Sequence, residues 1–314
     1  MAHRRKFSIK RSRFAAVIGL LVAPLLIYIG LCLIRPPRTD LQQQQLFQGI
    51  VYKRDARSKP RPLMLHIVTI DLTAPGIRLL VTPGMPSPEG MDTKAKTTGE
   101  FLKEFQLQLA VNANFFLPFH EHTPWDYYPH KGDPVNALGL AISNGNIYSP
   151  GEEIWSVLCI SASNVAQISS VKCPAGTTQA VAGNRIIVER GSRAPLDPNV
   201  DNSQLFPCTA VATNRQGNKL WIIVVDGRQP YYSEGVTLAE LTDIFLELGV
   251  YKALNLDGGG STTLVASIHG KPTVLNSPIH TRLPMRQRPV ANHLGVYALP
   301  GREQGGGSDR AGSL

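Results

Sequence analysis

The chain is poor in cysteine, in charge and in aromatic rings, and each scarcity removes a class of protein. Its 314 residues hold four cysteines, none of them two residues apart from another, so neither a disulfide-packed miniature scaffold nor a CxxC-type metal ribbon is present. Charged residues make up 18%, too few for a disordered chain or a coiled coil. No internal repeat and no HExxH element occurs, which excludes a solenoid and that kind of zinc hydrolase. Asp and Glu are missing altogether before Asp40. Seven Lys and Arg lie within residues 1–35, so the formal net charge of +9 falls to +2 over the rest. That leaves no basic stripe suited to nucleic acid.

What is present at the start is an uncharged run from Phe14 to Ile34, FAAVIGLLVAPLLIYIGLCLI. About 20 apolar residues cross a bilayer as a helix, and a proline such as Pro24 is tolerated there. Six basic residues precede the run, which places residues 1–13 in the cytoplasm as a basic tail and the bulk of the chain outside it, periplasmic or extracellular. The expectation is a single-pass anchor over residues 14–34; a cleaved signal peptide is the alternative, and either exports the domain. Cys159 and Cys173 are then either a hairpin disulfide or free buried thiols.

Residues 35–60, rich in Pro, Gln and charge, read as a linker, and residues 301–314 as a disordered tail. Between them, over residues 61–300, short β-branched runs recur: 63–72, 77–81, 107–113, 138–142, 181–188, 209–213, 220–225, 253–256, 262–267 and 294–298. Two helices are expected, over residues 98–106 and 238–248. The second carries Leu238, Leu241, Ile244, Phe245 and Leu248 on one face, a Thr237/Glu240 capping box, and Gly249 as a left-handed stop. Many strands and few helices without regular alternation predict an α+β fold of largely antiparallel sheets.

Three strand ends carry chemistry. Asn255-Leu256-Asp257-Gly258-Gly259-Gly260-Ser261 places a carboxylate before three glycines, a turn whose amides suit an anion. Its bland reading is a tight turn with Asp257 bonded to its own backbone. Asp226-Gly227-Arg228 offers a second carboxylate and a guanidinium for phosphate; its bland reading is a β-turn. Asn112-Ala113-Asn114-Phe115-Phe116 puts polar groups at a third apolar strand end. The segment from Phe119 to Asp133, with His120, His122 and His130, reads first as an exposed, solvated loop, next as a loop overhanging the site, and last as a metal centre.

Taken in order, these motifs, with Thr209-Ala210 and Arg288-Pro289-Val290-Ala291-Asn292, resemble the phosphodiester glycosidase family over roughly residues 63–299. The resemblance implies hydrolysis of a sugar 1-phosphodiester to free sugar and phosphomonoester; nothing in the sequence requires an organic cofactor, no residue is assigned to a metal, and metal dependence is left open. It implies Asp257 as the acid or base, with Asp226 or Glu240 as its partner. Arg228, Arg288 and Gly258–Ser261 would hold the phosphate, with Asn112, Asn255 and Thr209 about the substrate. The partners are a phosphate-linked sugar or glycan and the membrane through residues 14–34, not nucleic acid. Two departures stand out: Asn112-Ala113-Asn114 where the family commonly has Asn-Gly-Gly, and Cys208 where it commonly has arginine. The alternative reading is a catalytically weak glycan-binding module of the same fold.

Overall fold

The computed structural model describes residues 22–85, 90–195 and 203–301. Within them the fold is α+β, and every strand ladder between named strands is antiparallel. The largest sheet has eight strands in the order Leu41–Phe47, Ile50–Arg57, Leu63–Asp71, Lys219–Val225, Cys208–Thr213, Lys252–Asn255, Arg185–Glu189, Ser192–Arg193. A five-stranded sheet faces it, ordered Lys271–Val274, Leu264–Ile268, Leu109–Asn112, His293–Tyr297, Arg78–Val81. A second five-stranded sheet, built around Thr177–Gly183 and Ser156–Ser161, joins both at the main core.

The central strands are buried on both faces, which is why Trp221-Ile222-Ile223-Val224-Val225 reads as a continuous apolar run instead of an alternation. Ile222 and Val224 point into the core shared with Leu109, Val111, Leu264 and Leu294 of the facing sheet. Trp221, Ile223 and Val225 point the other way, onto the helix Leu238–Glu247 through Leu241, Ile244 and Phe245. Full burial of such side chains stabilises by about 1.5–3 kcal/mol each. The helix Thr98–Glu104 covers the outer face of the five-stranded sheet through Phe101 and Leu102. Both helices open with complete Thr/Glu capping boxes, and Gly249 takes φ +67 beyond the second.

The stretch expected as a linker differs from expectation. Residues 41–57 form the two outer strands of the large sheet, and Ile50 and Tyr52 enter the main core. Tyr232 donates from its hydroxyl to the Pro36 carbonyl at 3.0 Å, and the Arg35 guanidinium lies 5.1 Å from the Tyr232 ring centroid. The chain is therefore bound to the domain from residue 35 onward.

Before it, residues 22–33 are helical, with Leu25, Leu26, Ile27 and Leu33 exposed. Among the described residues no helix is long and apolar enough to cross a membrane. Residues 14–21 of the expected span, the basic tail before it and residues 302–314 of the expected disordered tail lie outside the described residues. Cys159 and Cys173 form a disulfide.

Candidate active site

The site lies where the ends of three strands from two sheets meet. Lys219–Val225 runs into Asp226-Gly227-Arg228, Lys252–Asn255 into Leu256-Asp257-Gly258, and Leu109–Asn112 ends beside them. Asn112 holds the sheets together. Its Nδ2 donates to the Asp257 carbonyl at 2.7 Å, and its Oδ1 accepts from the Thr209 hydroxyl at 2.7 Å and the Thr263 amide at 3.1 Å. Both Asn112 and Thr209 are fully buried. The contact with substrate expected of them gives way to a supporting role beneath the site, because the hydrogen bonds that satisfy a buried amide here are all internal.

The Asp257 carboxylate is buried. Loss of solvation pushes its pKa up to about 6, against the lowering effect of the Ser261 hydroxyl, the Arg288 charge, the Gly258 amide and the Arg228 charge. Two arginines act on its charge, and a third, Arg282, lies close enough to act on one of them. Arg288 is 6% exposed, donates from Nη1 to Ser261 Oγ at 3.0 Å and from Nε to His280 Nδ1 at 3.2 Å, and pairs through Nη2 with Glu121. Arg228 is solvent-accessible as a residue, yet partial desolvation of its guanidinium and then the charges of Arg282 and Arg288 lower its pKa. Like charges gathered this closely call for an anion.

The glycines explain how the arginines fit. A Cβ on Gly259, whose φ is +61, would stand 3.2 Å from Arg228 Nη1, and one on Gly260 would collide with the Arg288 guanidinium. A Cβ on Gly258 would stand 2.7 Å from the Pro207 carbonyl. The turn's amides are largely engaged: Gly259 N donates to Pro207 O at 2.8 Å, Ser261 N to Gly258 O at 3.2 Å, and Gly258 N to the Asp257 carboxylate. The segment serves less as an anion nest than as a smooth floor on which two guanidiniums rest.

Glu121 and His280 complete the cluster. Burial raises the Glu121 pKa, but bonds to His280 and the charge of Arg288 outweigh it, leaving it at about 2. His280 Nδ1 lies 3.3 Å from Glu121 Oε2, and its Nε2 is buried without a protein partner. Desolvation lowers the His280 pKa, with the Arg288 charge working the same way against Glu121. The supporting segment carries non-glycine residues in left-handed conformation, Thr281 (φ 52), Arg282 (φ 64) and Met285 (φ 61). Each costs about 1–3 kcal/mol, and such strain collects at functional sites. Arg286 fixes it, donating from Nη1 to Thr281 Oγ1 and to Pro124 O, both at 2.7 Å.

The other expected residues lie apart from this centre. Asp226 is 1% exposed; its Oδ1 accepts from Ser277 N at 2.7 Å and Asn276 Nδ2 at 3.0 Å, and its Oδ2 meets His66 Nε2 at 3.0 Å. It ties the strand end to the segment leading to His280. Glu240 caps its helix and pairs with Arg61 in a shallow hollow shared with Arg57, Lys59 and Asp243, none of which belongs to the Asp257 cluster. Asn255 donates to Asn184 Oδ1 at 2.9 Å and keeps its own Oδ1 buried and unpartnered. Cys208 points into the apolar layer beneath the helix Leu238–Glu247, where burial raises its pKa, so it faces no ligand.

His280 and Arg282 escaped sequence reasoning; their only signal was the run of cations in His280-Thr281-Arg282-Leu283-Pro284-Met285-Arg286-Gln287-Arg288. Two concavities elsewhere, of about 530 and 550 Å³, contain Asp92 and Arg78 respectively, and neither pairs a carboxylate with a cation.

Such a carboxylate, set among arginines at the meeting of two sheets, forms a candidate anion site. The profile of the phosphodiester glycosidases matches residues 105–297, and the chain belongs to that family. Among solved structures it is similar to the catalytic domain of zebrafish N-acetylglucosamine-1-phosphodiester α-N-acetylglucosaminidase, auto-inhibited by its pro-peptide. That match has 19% identity and a TM-score of 0.55, covering 82% of this chain and 88% of that one. A hypothetical protein from Synechocystis is similar at 16% identity and TM-score 0.53, with 80% of this chain covered and only 62% of that chain. A Burkholderia pseudomallei protein described as exported follows at 14% and 0.50, covering 76% and 74%. None of the curated proteins compared with the chain matches it.

Proposed function

We propose that the protein hydrolyses sugar 1-phosphodiesters, releasing free sugar and a phosphomonoester, outside the cytoplasm and anchored through residues 14–34. The observation that carries this reading is the buried Asp257, with its pKa at about 6, among Arg228, Arg282 and Arg288. A departing phosphomonoester has a second pKa of about 6, so it leaves without being protonated if its charge is held. The arginines supply that charge. Asp257, largely ionised at neutral pH, takes a proton from water as the water oxygen bonds to the sugar C1 and the C1–O bond to phosphate breaks. Glu121 holds Arg288 and His280 in place.

Support for export comes from the charge asymmetry about residues 14–34 and from the Cys159–Cys173 disulfide, a bond at home in oxidising compartments. Cys208, buried beneath the helix Leu238–Glu247, brings no charge to the anion site, whose cations are Arg228, Arg282 and Arg288. The test is release of free sugar from a panel of hexose and N-acetylhexosamine 1-phosphodiesters by the wild type and by Asp257→Asn. Turnover is expected to fall by about 10³-fold or more in the variant. A folded wild-type protein inert across the panel would refute the reading.

A further inference from the structure

The clamp that holds the start of the domain grips the turn that carries Arg228. Arg35 and Pro36 follow the exposed apolar helix of residues 22–33 with one residue between, and both bind Tyr232. Tyr232 belongs to the same tight turn as Arg228: Arg228 N donates to Glu234 O at 3.2 Å and Tyr232 N to Gln229 O at 3.1 Å. Three residues of chain thus separate Tyr232, to which the start of the domain is fastened, from Arg228 of the phosphate cradle. No slack chain lifts the domain away, because the chain is bound from residue 35 onward.

Charge and aromatic side chains point the same way. Residues 36–61 hold six Lys and Arg against two Asp, while the balance over residues 62–314 is −2. Four of the six bond within the domain, Arg38 to the Arg57 carbonyl, Arg54 to Thr39, Arg57 to Asp55 and Glu247, and Arg61 to Glu240, which leaves Lys53 and Lys59 to favour an anionic surface by about 1 kcal/mol each. Both walls of the cradle carry exposed aromatics. Tyr231 is 90% exposed on the Arg228 turn; on the opposite loop Trp125 is 82% and Phe119 42% exposed, with Arg288 4.7 Å from the Phe119 ring centroid. Amphipathic rings and arginines in this arrangement suit the depth of lipid headgroups.

We infer that the phosphodiester is presented at headgroup depth, its alcohol being a membrane lipid, so that the substrates are lipid-linked sugar 1-phosphates. This rests on the hydrolase and anchor readings above. Water adds its oxygen to the sugar C1, the C1–O bond to phosphate breaks, the free sugar leaves, and the lipid phosphomonoester stays in the bilayer.

The test uses the full chain in vesicles containing phosphatidylglycerol. Matched pairs of sugar 1-phosphates are supplied, one member esterified to a polyprenol and the other to methanol. The polyprenyl ester should be hydrolysed at least about tenfold faster, as confinement to one surface raises effective concentration. A 12-residue Gly/Ser insertion between Ile34 and Arg35, reaching about 20 Å, should abolish that preference while leaving the methyl ester rate unchanged. Equal rates on both esters, or a preference that survives the insertion, would overturn the lipid assignment and leave the hydrolase reading intact. Inertness towards both members of every pair would refute both.

Discussion

Asp257 occupies a place that folding alone would not favour. Its folded pKa of about 6 lies above the ordinary carboxylate value near 3.9. Between those values the folded state binds more protons than the unfolded one, so stability falls as pH rises through the window, by up to about 3 kcal/mol. Asp257→Asn should therefore be more stable than the wild type at pH 7, with the gain vanishing below about pH 4. Urea unfolding at the two pH values checks this. Wild-type turnover should decline as pH falls through about 6, where the base becomes protonated. A variant that is more stable and inactive would mark the carboxylate as kept for chemistry.

At the scale of the element, Glu240 is the instructive case. A capping-box glutamate three residues after Thr237 was legible in the sequence, and the helix Leu238–Glu247 begins where that pattern places it. Its bonds to Thr237 and Arg61 are those of a helix start, so Glu240→Ala should lose about 1 kcal/mol of stability with turnover unchanged. Melting temperature and sugar release, measured on the same sample, separate the two roles. The apolar strands were legible for the same reason as the helix: Leu63–Asp71 and Lys219–Val225 are long and β-branched. The outer strands of residues 41–57 were not, since Gln42 to Gln45 carry no alternation and one face of that pairing stays in solvent. Asp257 and its glycines were visible as a local run. Glu121 reaches the site from a two-residue strand, and His280 and Arg282 from a single 3-10 turn with left-handed backbone, elements too short for any local periodicity to encode.

At the scale of the whole molecule, the site belongs to no single layer. Arg228 and Asp257 extend from the eight-stranded sheet, Asn112 from the facing five-stranded sheet, and Arg288 precedes the edge of His293–Tyr297. The core between the sheets is made of residues far apart in the chain, from Ile50 to Val296. Asn112 contributes only if both sheets have docked, because its partners Thr209, Asp257 and Thr263 come from across that core and from the loop joining its two sides.

That one asparagine makes catalytic competence an all-or-none property of the fold. A chain with one sheet formed and the other loose would carry Asp257 and Arg228 but leave the turn beneath them unsupported. Loss of sugar release in urea should thus coincide with the change in tryptophan fluorescence, to which buried Trp221 contributes, giving one midpoint for both. On the proposed reading, such an enzyme does no chemistry during its maturation, and the first turnover certifies that the last sheet has closed.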